Sequence, residues 1–147
     1  MIRFTLKKKS KIQRDTLYSI SADIENFSKM MPKYFKSLKI KSTVGNNVFV
    51  DEKIYFSNVK VKHVILRPEI HEVHILSGIM RGTSFIESYK GSPDGTDITI
   101  NVSVSLNGIS KLLYPFAFIL RRQMSKVMEE FLESSEKIVA GSKNKNN

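Results

Sequence analysis

Apolar and polar residues alternate along most of the chain, and the period changes near the end. In residues 2–12, Ile2, Phe4, Leu6, Ser10 and Ile12 share one face while Arg3, Thr5, Lys7, Lys9 and Lys11 share the other, the two-residue repeat of a strand. Lys8 has the parity of the apolar face. The same repeat returns over residues 36–44, 48–56, 59–66, 70–78, 82–90 and 96–106. Turn signals separate these runs: Gly45-Asn46-Asn47, Ser57-Asn58, Arg67-Pro68-Glu69 and Gly91-Ser92-Pro93-Asp94-Gly95. Leu17, Ile20 and Ile24 fall at helical spacing behind Asp15, which predicts a helix over 15–22. A second short helix is expected over 23–31, stopped by Pro32.

From Ser110 to about Val139 the apolar steps become three and four: Leu112, Phe116, Ile119 or Leu120, Met124, Val127 or Met128, Phe131 and Ile138. This predicts one long amphipathic helix that Ser110 can cap, with Pro115 marking either its true first turn or a kink, ended by Gly141, with 141–147 a disordered tail. Docking such residues contributes roughly 1.5–3 kcal/mol each, so the helix depends on the sheet for its stability. The expected class is α+β, a single domain over 1–140: a curved seven-stranded antiparallel sheet wrapped around a long C-terminal helix, with two short helices after strand 1. Such a sheet has a buried face wider than one helix covers. A groove or cavity is expected, and binding of an apolar small molecule is the leading function.

Composition narrows the chemistry. The chain has 147 residues, no cysteine and 41% hydrophobic residues, so disulfide and thiolate chemistry are excluded. Its longest apolar run, 112–120, is too short to span a bilayer and contains Pro115. With no signal-peptide pattern, a cytoplasmic protein is expected. The net charge is +10 and uneven: residues 1–41 hold 11 Lys or Arg against three acids. Lys7, Lys9, Lys11, Lys39 and Lys41 offer a basic face for RNA, a ribosome or an anionic membrane, although no aromatic residues interleave with them.

Two kinds of residue are candidates for a site. Phe27, Met30, Met31, Tyr34 and Phe35 make an adaptable Met/aromatic cluster, from which Met30 or Met31 and Tyr34 are expected to face a ligand. Inward parity adds Val50, Ile54, Val61, Phe85, Ile100 and Val102 from the strands, and Leu120, Met124 and Met128 from the middle of the helix. The inward polar groups are Lys8, Glu52 and His63, with Glu87 competing against Ile86 for the inside. Burying a charge alone is costly. These groups therefore orient a ligand's polar end, act as acid or base, pair with one another, or are turned outward by strand twist. An odd-length loop after residue 66 would put His71 on the face of His63, with Val73 and Ile75 buried beside them. His71 and His74 then point to opposite faces, and no metal or other cofactor is expected.

Three segments resemble the START/SRPBCC superfamily, the helix-grip group that includes polyketide cyclase/dehydrase and coenzyme-Q-binding proteins. They are Asp23-Ile24-Glu25-Asn26-Phe27 with Met31-Pro32, the turn Pro93-Asp94-Gly95-Thr96 before an alternating strand, and the closing helix through Phe131. The resemblance covers about residues 2–140. It implies an apolar tunnel between sheet and helix, with the 23–35 segment at its entrance. It also implies a lipid, quinone or polyketide-like ligand. A cyclase or dehydratase using inward Glu and His side chains is the enzymatic alternative.

Overall fold

The computed structural model describes residues 1–54 and 57–145. The expected inward Phe56 lies outside them, as do residues 146 and 147 of the tail. The chain runs β1 (Ile2–Ser10), α1 (Arg14–Ala22), a 3-10 turn (Ile24–Asn26), α2 (Phe27–Met30), then β2 (Phe35–Val44), β3 (Asn47–Ile54), β4 (Ser57–Leu66), β5 (Ile70–Ile75), β6 (Ser84–Ser92) and β7 (Gly95–Val104). A 3-10 segment (Gly108–Phe116) leads into α3 (Ala117–Lys145). The seven strands form one curved antiparallel sheet in the order β1-β7-β6-β5-β4-β3-β2.

The alternation explains the register. Ile98, Ile100, Val102 and Val104 are all buried on the concave face, opposite Lys8, Leu6, Phe4 and Ile2 of β1. The hairpin between β2 and β3 turns at Gly45 and Asn46, with Gly45 at positive φ, as such a turn requires. Gly95 opens β7 at φ 149°, where a Cβ would collide with the Ser10 carbonyl and the Lys11 backbone. Only glycine lets β7 start that close to the end of β1. Ser57 and Asn58 are not a turn: they pair with Ile54 and Lys53 inside the β3–β4 ladder.

The C-terminal segment departs from its pattern in three ways. The α-helix begins at Ala117, after a 3-10 stretch that contains Pro115. In a 3-10 helix residues three apart eclipse, so the early apolar positions do not continue the α-helical stripe. Leu112, Phe116 and Ile119 are exposed, and so is Ile138 near the far end. Ser110 does not cap a helix; its hydroxyl donates to the Asn107 carbonyl within the 3-10 stretch. Nor does Gly141 end one, since α3 runs through it to Lys145. Docking is carried by Met128, Phe131 and Leu132, all buried, and by Lys8, whose Nζ reaches Ser125 Oγ at 2.7 Å and Glu129 Oε1 at 2.9 Å. Lys8 thus keeps its inward parity by finding partners on α3.

The basic residues of the first 41 positions do not lie side by side. Lys7 and Lys9 belong to β1 and Lys39 and Lys41 to β2, the two opposite edges of the sheet. Among the described residues, no helix is long and apolar enough to cross a membrane.

Candidate functional site

A row of polar side chains crosses the concave face, one strand after another. Glu52 of β3 meets His63 of β4, with Oε1 to Nε2 at 2.8 Å. His63 Nδ1 lies 3.0 Å from Nε2 of His71 on β5, and the two rings stack at 5.2 Å. His71 Nδ1 is 3.4 Å from Glu87 Oε2 on β6. That same oxygen accepts the Tyr89 hydroxyl at 2.7 Å. The register builds this row: His63 stands opposite Val73, so His71 shares its face, and His71 stands opposite Glu87. The odd-length loop expected after residue 66 is what sets that parity.

The row is almost sealed. The side chains of Glu52, His63 and His71 retain 3% exposure or less, whereas that of Glu87 retains 18%. Glu87 is the open end. Burial alone would raise its carboxyl; hydrogen bonds and charge from His71, Tyr89 and His63 together outweigh it and hold the group below the ordinary carboxylate range. Burial, reinforced by the Glu87 charge, pushes the Tyr89 phenol well above its ordinary range, so it stays a neutral donor. Tyr89 packs edge-on against Tyr18 at 5.7 Å, whose hydroxyl donates to the Ile70 carbonyl.

Both ring nitrogens of His63 are engaged, so His63 has no lone pair to present to a substrate. The groups are strung along a line; among the described residues, no three His, Cys, Asp or Glu could hold a metal ion.

Around the row, the expected site residues divide. Val50, Val61, Ile100, Val102 and Met128 are buried core, as are Met31 and Tyr34. Met30, Phe35, Ile54, Phe85, Leu120 and Met124 are half-buried. The Met/aromatic segment closes over the row: Phe27 lies 6.4 Å from the His63 ring, 5.7 Å from Phe35 and 6.4 Å from Phe131. Ser134 of α3 ties it down through the Met30 carbonyl at 3.2 Å. Two open clefts are present among the described residues. One of about 520 Å³ lies between β1 and α3, and one of about 430 Å³ lies beside the β2–β3 turn. His71, Tyr89 and Tyr18 complete the site and were not among the candidates; the parity of 71 and 89 carried that signal, whereas Tyr18 has none in its local sequence.

No protein-family model matches the sequence, and no curated protein matches it. Solved structures do. The di-domain aromatase/cyclase StfQ of the steffimycin biosynthetic pathway superposes with a TM-score of 0.79 at 14% identity, over 95% of this chain and 52% of that one. The ZhuI aromatase/cyclase from Streptomyces sp. R1128 gives 0.76 at 9% identity, over 94% of both chains. A START superfamily protein from Mycobacterium smegmatis gives 0.64 at 15% identity, over 90% of this chain and 96% of that one. The chain therefore spans about half the length of the di-domain protein. At these identities the likeness speaks for architecture. With its curved seven-stranded sheet and long closing helix, the chain shares the helix-grip fold of these structures.

Proposed function

We propose that the protein binds a hydrophobic small molecule with a hydroxyl or amine at one end, seated on the concave face beside Glu87 and under α3. The observation that carries this reading is the row from Glu52 to Tyr89. A buried ion pair with its partners is seldom worth its desolvation as a stabilising device, since well-packed apolar residues do as well or better. Its open end is an ionised carboxylate, which accepts hydrogen bonds and selects a donor on the guest. Leu120 and Met124 from α3 and Phe85 from β6 are partly buried against the core and supply apolar contact. Phe27 is the side chain a guest displaces on entering. The enzymatic alternative is weaker because His63, oriented by Glu52 as a general base would be, spends its second nitrogen on His71. The relatives named as aromatase/cyclases are consistent with an apolar guest of this kind.

The test is a thermal-shift screen of paired apolar compounds, hydroxylated and not, with native mass spectrometry of the purified protein. A guest at a hundred times its Kd stabilises the fold by about 2.7 kcal/mol. Glu87→Gln is expected to weaken the hydroxylated partner about tenfold and to leave the hydrocarbon unchanged, the scale of one hydrogen bond to a charged group. Phe27→Ala is expected to tighten both. If neither the native protein nor Phe27→Ala is stabilised by any compound, and none co-purifies, the reading fails.

A further inference from the structure

The segment that leaves the sheet at Asn107 exposes its apolar side chains to solvent. Ile109 is 86% exposed, Leu112 72% and Phe118 68%, with Leu113, Phe116 and Ile119 beside them in sequence and at least 44% exposed. Ile79, 61% exposed, is pinned next to the segment by a hydrogen bond from the Asn107 N–H to its carbonyl at 2.9 Å. Patches of this kind on a monomer mark interaction surfaces.

Charge says what covers it. Between Asp97 and Glu129 the chain holds no acidic residue and four cations: Lys111, Arg121, Arg122 and Lys126. Three of these line the open cleft of about 520 Å³ together with Lys7, Lys8 and Phe118. Glu129 is the one acid lining that cleft, and Lys8 already engages it at 2.9 Å. An apolar surface bordering a cationic cleft matches the boundary between acyl chains and phosphate headgroups. The patch is mostly aliphatic, with Ile109, Leu112, Leu113 and Ile119 beside the two exposed rings of Phe116 and Phe118, which suits acyl chains better than a row of bases. Pairing two copies through this face would bring like charges together.

We propose that this end of the molecule docks on an anionic lipid bilayer, with residues 109–119 seated at the headgroup boundary and lipid phosphates held by Lys7, Arg121, Arg122 and Lys126. The residues proposed to meet lipid exclude Glu87 and the polar row, and the test uses no guest molecule, so the proposal stands or falls independently of the ligand reading.

The experiment is co-sedimentation of the full chain with phosphatidylglycerol-rich vesicles and with pure phosphatidylcholine vesicles, at low and high salt. Binding to the anionic vesicles alone is expected, weakened by salt. The Leu112→Asp/Phe118→Asp and Arg121→Glu/Arg122→Glu variants are each expected to bind at least about tenfold more weakly. All four sites are exposed, and circular dichroism checks that the variants fold. The chain has no tryptophan, so the emission of Phe118→Trp reports insertion by a blue shift on anionic vesicles. Failure to sediment with phosphatidylglycerol overturns the proposal, as does full binding by Leu112→Asp/Phe118→Asp, which would mean adsorption by charge alone. Release by single-stranded RNA without any blue shift assigns the face to nucleic acid and overturns it. A dimer in solution that Leu112→Asp/Phe118→Asp dissolves assigns the face to a second copy, with the same consequence.

Discussion

Two stretches of the concave face follow the same rule of alternation and come out chemically opposed. On β7 the inward positions are Ile98, Ile100, Val102 and Val104, all buried and entirely apolar. On β3 to β6 the inward positions include Glu52, His63, His71, Glu87 and Tyr89, joined in a row and, Glu87 apart, as deeply buried. The β7 ladder is what a core requires and nothing more. The row spends burial on charges, and each member depends on its neighbours to remain inside. One half of the wall therefore holds the fold together, while the other carries a specific pattern of donors and acceptors.

Breaking the row in its middle tests that contrast most severely. Glu52→Ala leaves the buried His63 Nε2 without its partner and is expected to cost about 3 kcal/mol of unfolding free energy, the upper end for a buried polar group left unpaired, measured by urea denaturation. Replacing Glu52, His63, His71 and Glu87 together by Leu is expected to restore most of that loss while abolishing discrimination between hydroxylated and plain guests. If the all-apolar protein discriminates as the native one does, the row has no part in recognition. On the other half, Ile98→Ala is expected to cost about 3 kcal/mol through cavity formation and to leave guest preference untouched. A preference altered by Ile98→Ala would merge the two regions into one.

The smallest effect is a slope. The folded state favours ionised Glu87, because its carboxyl titrates below the range it has in the unfolded chain. That stabilisation is complete above the ordinary carboxylate range and is lost as pH falls through the lower, folded-state value. Native stability should therefore drop more steeply in acid than that of Glu87→Gln, and the two curves should draw together at low pH. Parallel curves would show that the carboxylate gains nothing from His71 and Tyr89.

Much of this arrangement is legible in the residues themselves. Strict alternation from Thr96 to Leu106 places the core strand without ambiguity, and the preference for burying Val73 and Ile75 brings His71 beside His63 before any coordinates are consulted. Glu87 is less clear, since Ile86 competes for the same side; the ladder resolves it by pairing Glu87 with His71 and leaving Ile86 at the surface, 36% exposed. The closing helix is read less well. Steps of three and four fit a 3-10 segment as readily as an α-helix, so the pattern does not show where one gives way to the other. Nor does an apolar stripe reveal that the sheet lies under Met128 and Phe131 but not under Leu112 and Phe116. Tyr18 reaches its partners only through tertiary packing, which no local pattern encodes.

The pairing of β1 with β7 also bears on how the molecule is made. Ile2 finds its partner in Val104, and Ser10 finds Thr96, so the first strand of this sheet to be synthesised waits for the last. Contacts this distant in sequence slow folding and leave an unpaired ribbon exposed in the meantime. The outward lysines of that ribbon, Lys7 and Lys9, discourage it from joining the strands of a neighbouring nascent chain until its own partner emerges.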